Sequence, residues 1–313
     1  MLSHDNLTWN TGGLQVVNAR EKPSMVGPHN RIVSYLPLSH IAGLAFDILT
    51  HFYNVSELYF AKPDALQGTL VETLQWARPT AFFAVPRVWE KFEDKLKEVA
   101  ASKSGLLQSI SGWAKGYGTA NVEALRNHED PPFMYSVANT LILSKIKQQL
   151  GLDQCDGFYF GAAPLKVASS AYFASLDMPL FNIYGMSETT GAFSIMTHGK
   201  FNLKTAGYTM PGQDLMIDKP DENGEGEICM RGRSMMMGYK DNEKATAETI
   251  DSLGFIHSGD KGKENSEKFL CITGRIKELI ITAGGENIAP VPVEDNFKLL
   301  CPPCSNIMMI GEQ

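Results

Sequence analysis

Short apolar runs alternate with amphipathic stretches along this chain, and that alternation predicts α/β layering. Ala81-Phe82-Phe83-Ala84-Val85 reads as a buried strand stopped by Pro86. From Arg87 to Ala100 the apolar positions Val88, Trp89, Phe92, Leu96 and Val99 share one helical face, a stripe that belongs in a core. A second amphipathic helix is predicted from Val137 to Leu150, with Leu141, Ile142, Ile146 and Leu150 apolar and Gly151 placed to end it. Phe158-Tyr159-Phe160 predicts a short strand, and Pro164 predicts the start of a helix running to about Leu176. Beyond it the texture changes. Gly224 to Gly238 is rich in glycine around a strand at Ile228-Cys229-Met230, and Phe269-Leu270-Cys271-Ile272 and Leu279-Ile280-Ile281 follow. Residues from about 200 to 274 therefore read as a smaller β-rich subdomain. Thr273-Gly274-Arg275-Ile276-Lys277 is linker-like and reads as a hinge. Too few residues follow Lys277 for an independent domain.

The length of 313 residues suits one large or two ordinary domains with a sizeable core. With 28 Lys+Arg against 35 Asp+Glu the net charge is −7, which argues against a nucleic-acid binder. No apolar run approaches the length of about 18 residues that suggests a spanning helix. The start, Met1-Leu2-Ser3-His4-Asp5, lacks the charged and apolar regions of a signal peptide. Five cysteines, at 155, 229, 271, 301 and 304, are odd in number and fit free thiols in a reducing compartment. Cys301-Pro302-Pro303-Cys304 has redox or half-zinc spacing. No second Cys pair or nearby His completes a four-ligand site there, so a plain loop is expected.

The densest chemistry lies in Tyr184-Gly185-Met186-Ser187-Glu188-Thr189-Thr190-Gly191, directly after the apolar run Met178 to Ile183. A strand delivering this loop to a sheet edge can stack a flat base and bind a phosphate through hydroxyls. Its carboxylate suits a hard cation such as magnesium. A Ser/Thr-rich turn with no ligand explains the octet equally well. Other segments offer matching groups. The small residues Gly161, Ala162 and Ala163 allow close approach to the backbone. Asp260, after Ser258-Gly259, can accept two hydrogen bonds from a ribose diol. Arg275 offers a guanidinium, and Gly284-Gly285 either forms a tight turn or lets a narrow ligand pass.

Taken in order, these pieces resemble the adenylate-forming (AMP-binding) superfamily of acyl-CoA synthetases, luciferases and adenylation domains. The match runs through Leu36-Pro37-Leu38-Ser39-His40, Gly161 to Leu165, Tyr184 to Glu188, Gly224 to Tyr239, Ser258 to Asp260 and Gly274 to Ile280. Ala84 to Lys91 resembles the long-chain acyl-CoA synthetases, and Gly284 to Glu294 their bubblegum-type branch. The resemblance implies layered β-sheets with helices: a partial large domain over 1–274, then a hinge and the truncated start of a small α+β domain over 275–313. It implies that a fatty carboxylate attacks the α-phosphate of ATP and that the CoA thiol then displaces AMP.

By match to the family's motifs, Tyr184 would stack on adenine, beside Gly185, with the Gly161, Ala162 and Ala163 backbone edging the base. Ser187, where the family usually has Thr, would hold the α-phosphate, and Glu188 would coordinate Mg2+. Asp260 and Arg275 would hold the ribose, His40 would lie near the acyl carboxylate, Lys277 would be the hinge, and Gly284 and Gly285 would edge the CoA tunnel. The chain lacks the family's Gly-rich loop ending in Pro-Lys-Gly and its late acylation lysine, so an inactive fragment is expected. The alternative is a non-catalytic protein that binds fatty acid or a partner. A cytoplasmic location is expected, and fatty substrates leave peripheral association at the endoplasmic reticulum open, with no amphipathic anchor evident.

Overall fold

The computed structural model describes residues 1–276, 280–281, 287–288, 290–301, 304 and 307–311. Strands β1 (Arg31–Ser34) and β2 (Glu57–Phe60) form a parallel pair. The central sheet has five strands: β3 (Ala81–Ala84), β4 (Gly157–Gly161), β5 (Leu180–Met186), β6 (Gly191–Ile195) and β7 (Tyr208–Thr209). They lie in sequence order, parallel from β3 to β5 and antiparallel from β5 to β7. A second, antiparallel sheet comprises β8 (Gln213–Asp218), β9 (Gly226–Gly232), β10 (Ile256–Glu264) and β11 (Leu270–Arg275), in the order β11-β10-β9-β8. The short strands β12 (Ile280–Ile281) and β13 (Asn287–Ile288) pair with each other. This is the mixed α/β layering that the sequence predicts.

The helix Pro86–Ala101 starts on its proline, where a missing N–H is harmless, and buries Val88, Trp89 and Phe92. Trp89 is fully buried among Phe82, Phe158 and Phe173, and its indole N–H donates to the Tyr159 carbonyl at 3.1 Å. Truncating such a residue costs about 3–5 kcal/mol. Val99, expected on the same face, is exposed, and the buried positions of this helix all lie between Pro86 and Glu93.

The expected helix from Val137 to Leu150 is interrupted. Tyr135–Ala138 is α-helical, Asn139–Leu143 forms a π turn, and Ser144–Leu150 is α-helical again. The wider turn rotates the apolar face, so Leu143 is fully buried while Leu141 is exposed. Gly151 ends the helix in a left-handed conformation, as expected. The helix placed at Pro164 begins only at Val167 and runs to Ser175. Ala162 has φ of +68°, so the chain leaves β4 through a bend before it can wind. Thr273 to Arg275, read from sequence as part of a linker, still belong to β11, with Gly274 opposite Lys261 and Arg275 opposite Asp260.

The two sheets meet over Phe193, Ala206, Ile228, Met230 and Leu270. Backbone bonds from Ala206 N–H to the Leu270 carbonyl (2.7 Å) and from Leu270 N–H to the Gly207 carbonyl (2.8 Å) fasten the junction. Among the described residues, no helix is long and apolar enough to cross a membrane.

Candidate adenylate-binding site

Strand β5 delivers Tyr184 to the sheet end and passes through Gly185 into a tight turn at Ser187–Thr189. The β5–β6 register shifts between Tyr184 and Gly185. A Cβ on Gly185 would lie 1.6 Å from the Gly191 carbonyl oxygen, so only glycine fits this crossing. The three hydroxyls of the loop have different tasks. Thr189 Oγ1 accepts from Met186 N–H at 3.0 Å and donates to the Gly191 carbonyl at 2.9 Å. Thr190, at φ +61°, donates to the Ser234 carbonyl at 2.5 Å. Both threonines are buried, whereas Ser187 is exposed. Ser187 is thus the one hydroxyl of the Ser187–Thr190 turn that faces solvent.

The N-terminal helix His4–Glu21 holds this loop from behind. Ser3 and Asn6 form a reciprocal capping box at its start. Asn10 Nδ2 donates to the Ala192 carbonyl at 2.7 Å, and Asn6 Nδ2 to the Arg233 carbonyl at 2.7 Å. Buried carbonyls need such donors, which accounts for buried Asn6 and Asn10. Of the other buried polar residues on this helix, Gln15 pairs with the Thr50 and Asn54 side chains and Asn18 accepts from the Tyr159 hydroxyl.

Tyr184 and Asp260 meet directly: the phenol donates to Asp260 Oδ2 at 2.7 Å. Burial, and then the negative charge of Asp260, push the Tyr184 pKa well above its ordinary value, so the hydroxyl keeps its proton. Arg275 Nε lies 3.3 Å from Asp260 Oδ1. A strand irregularity brings Asp260 here. In the β9–β10 pairing His257 faces Cys229 and Lys261 faces Glu227, so β10 has two residues more than its partner across this interval. Gly259 adopts φ +73° within the bulge, its N–H donates to Glu227 Oε1 at 2.9 Å, and Asp260 N–H donates to Ser258 Oγ at 3.0 Å.

Glu188 is tied on two sides. Its Oε1 accepts from the Tyr239 hydroxyl at 2.7 Å, and its carbonyl accepts from Met236 N–H at 2.7 Å. Burial and this bond raise the Tyr239 pKa, which keeps the phenol a donor. Gly161 ends β4 opposite Ile183, and a Cβ there would come within 2.5 Å of the Ile183 carbonyl. Ala162 and Ala163 are exposed just beyond.

The AMP-binding enzyme family's sequence pattern matches residues 1–240. The chain belongs to that family. Long-chain-fatty-acid–CoA ligase ACSBG2 of Gallus gallus is 46% identical over 318 residues, covering 100% of this chain and 41% of the relative. The ACSBG2 ligase of Homo sapiens is 41% identical, over 100% of this chain and 46% of its own length, and human ACSBG1 is 40% identical, over 100% and 43%. The chain thus spans less than half the length of these relatives. Two solved structures share the fold. o-Succinylbenzoate CoA synthetase (MenE) of Bacillus subtilis, in complex with its acyl-adenylate intermediate, superposes with TM-score 0.67 at 19% identity, over 96% of this chain and 50% of that one. ATP-bound MatB of Rhodopseudomonas palustris gives 0.65 at 22%, over 95% and 49%.

In this AMP-binding family chain the residues singled out from sequence are only partly gathered. Tyr184, Asp260 and Arg275 form one bonded group, and Gly161 and Gly185 lie in and beside the same strand ends. His40 is exposed and accepts from Ala42 N–H within its own turn, at 3.2 Å. The helical turn after it brings Ile41 and Ala45 beside Gly191. Lys277, Gly284 and Gly285 lie outside the described residues. Sequence reasoning missed Asn10, Glu227 and the role of Tyr239. The one available signal was Gly238-Tyr239, which matched a family motif without suggesting a contact to Glu188.

Proposed function

We propose that this chain forms the adenylate-holding part of a long-chain fatty acid–CoA ligase of the bubblegum type. The observation that carries this reading is the bonded Tyr184–Asp260–Arg275 group, with the loop of Ser187 and Glu188 following Tyr184 in the chain. Tyr184 and the Gly161–Ala163 backbone edge the base. Asp260 accepts from the ribose hydroxyls, and its two oxygens, now held by Tyr184 and Arg275, are oriented for that task. Ser187 donates to the α-phosphate. Glu188 fits magnesium, since a carboxylate tethered by one phenol keeps further acceptor sites for a hard cation. When bound there, the ion would offset phosphate charge. His40 stands toward the acyl group. The protein's part is positioning and charge stabilisation.

On the same reading residues 1–274 belong to the large domain, Lys277 is its hinge, and Gly284 and Gly285 edge the path of CoA. On this reading the chain works in the cytoplasm, and its fatty substrates favour peripheral contact at the endoplasmic reticulum.

Titration calorimetry with a non-hydrolysable long-chain acyl-adenylate analogue tests the proposal. The wild-type chain is expected to bind, and Asp260→Ala to bind at least about tenfold more weakly, the loss of a charge-assisted hydrogen bond. No binding by the wild type, or equal binding by Asp260→Ala, overturns it.

A further inference from the structure

Three metal-ligating side chains converge on the β9–β10 pair, apart from the groups assigned to the nucleotide. Cys229 of β9 is the cross-strand partner of His257 of β10, and Glu227 lies two residues along β9 on the same face. His257 Nδ1 is 3.4 Å from Cys229 Sγ and 2.8 Å from Glu227 Oε2, and all three ligand atoms lie within 4.8 Å of one another. One imidazole nitrogen makes one hydrogen bond, so it cannot satisfy both neighbours by hydrogen bonding.

A tetrahedral ion satisfies them together. Bonds of about 2.3 Å to sulfur, 2.0–2.1 Å to nitrogen and 2.0–2.2 Å to oxygen place S and N roughly 3.5 Å apart and N and O roughly 3.3 Å apart. The sulfur–nitrogen spacing is already there. The carboxylate oxygen has to draw back from nitrogen by about half an ångström and settle about 3.6 Å from sulfur, from which it now lies within 4.8 Å. The far ring nitrogen, Nε2, faces Asp251 Oδ2 at 3.7 Å. In a metal-bound state the Nδ1 proton would give way to the ion and Asp251 would face a proton on Nε2, the usual outer partner of a metal-bound histidine. Asp218, opposite Glu227 on β8, adds negative charge nearby. Cys229 is buried while His257 and Glu227 are partly exposed, so an ion enters from the carboxylate side.

We propose that Glu227, Cys229 and His257 bind a divalent cation of the zinc class, with water in the fourth position. The Cys229 proton leaves to solvent on binding. Because Glu227 Oε1 also holds Gly259 N–H, the ion would brace the turn that carries Asp260. The proposal stands independently of the ligase reading.

Cobalt(II) titration of the full chain in a Cys301→Ser, Cys304→Ser background tests it directly, because that neighbouring thiol pair (Sγ–Sγ 3.2 Å) would contribute sulfur bands of its own. One equivalent is expected to give a thiolate-to-cobalt charge-transfer band together with tetrahedral ligand-field bands, both abolished by zinc. Cys229→Ser is expected to lose the charge-transfer band, and Asp251→Asn to weaken binding about 10–100-fold. A parent chain without the band, or a band that persists in Cys229→Ser, overturns the proposal. The parent titration decides alone if a variant fails to fold.

Discussion

The Tyr184 hydroxyl donates to Asp260 Oδ2 at 2.7 Å across 76 positions of sequence, joining the central sheet to the antiparallel one. Asp260→Ala removes the partner of both the Tyr184 phenol and Arg275 and is expected to cost about 1–3 kcal/mol, whereas Tyr184→Phe leaves Asp260 paired with Arg275 and costs about 0.5–1.5 kcal/mol. Urea midpoints of the two variants check the order. If Tyr184→Phe is the more damaging, the bond is not what holds the two sheets at this point.

Gly185 admits no side chain, because Gly191 O would lie 1.6 Å from its Cβ and both atoms belong to paired backbone. Gly185→Ala must part β5 from β6 and is expected to destabilise the chain by about 3 kcal/mol or more, or to abolish soluble expression. A near-wild-type melting temperature would show that the crossing can relax.

Tyr239→Phe releases the Glu188 carboxylate from its only described side-chain hydrogen bond. The stability change should be small, about 1 kcal/mol. The larger effect is expected in magnesium. ATP binding by the variant should need several-fold more Mg2+ for half-saturation, while AMP binding without the ion stays close to wild type. An unchanged Mg2+ titration would remove Tyr239 from the proposed cation site.

Asp47 is buried at 4% exposure, its Oδ2 has no partner among the described residues, and burial raises its pKa from 3.8 to about 7 against the smaller, opposing bond from Ser34. Between these values the unfolded chain gives up a proton that the folded chain keeps. Its contribution is therefore fully present below about pH 4 and lost as pH rises through about 7. The loss is on the order of 4 kcal/mol at most. Asp47→Asn is expected to raise the urea midpoint at pH 8, leave it nearly unchanged at pH 4, and flatten the slope between. Parallel wild-type and variant profiles would refute the assignment.

Local chemistry was legible in the chain itself. The Pro86–Ala101 helix, the stop at Gly151, strands β3 and β4, and the octet from Tyr184 to Gly191 follow from apolar spacing and turn residues. These depend only on neighbours a few positions away. The same local patterns named Asp260 and Arg275 as candidates through a resemblance, without saying what they touch.

Tertiary structure alone decided the rest. The π turn at Asn139–Leu143 turned Leu143 inward, and a glycine-centred bulge in β10 carried Asp260 to Tyr184. Strand register set Cys229 against His257, and docking of the first helix gave Asn10 the Ala192 carbonyl. Each partner is remote in sequence, and which groups meet depends on register and bulges fixed by packing rather than by local periodicity. The chain determined which groups were available for a nucleotide; the fold determined which of them meet.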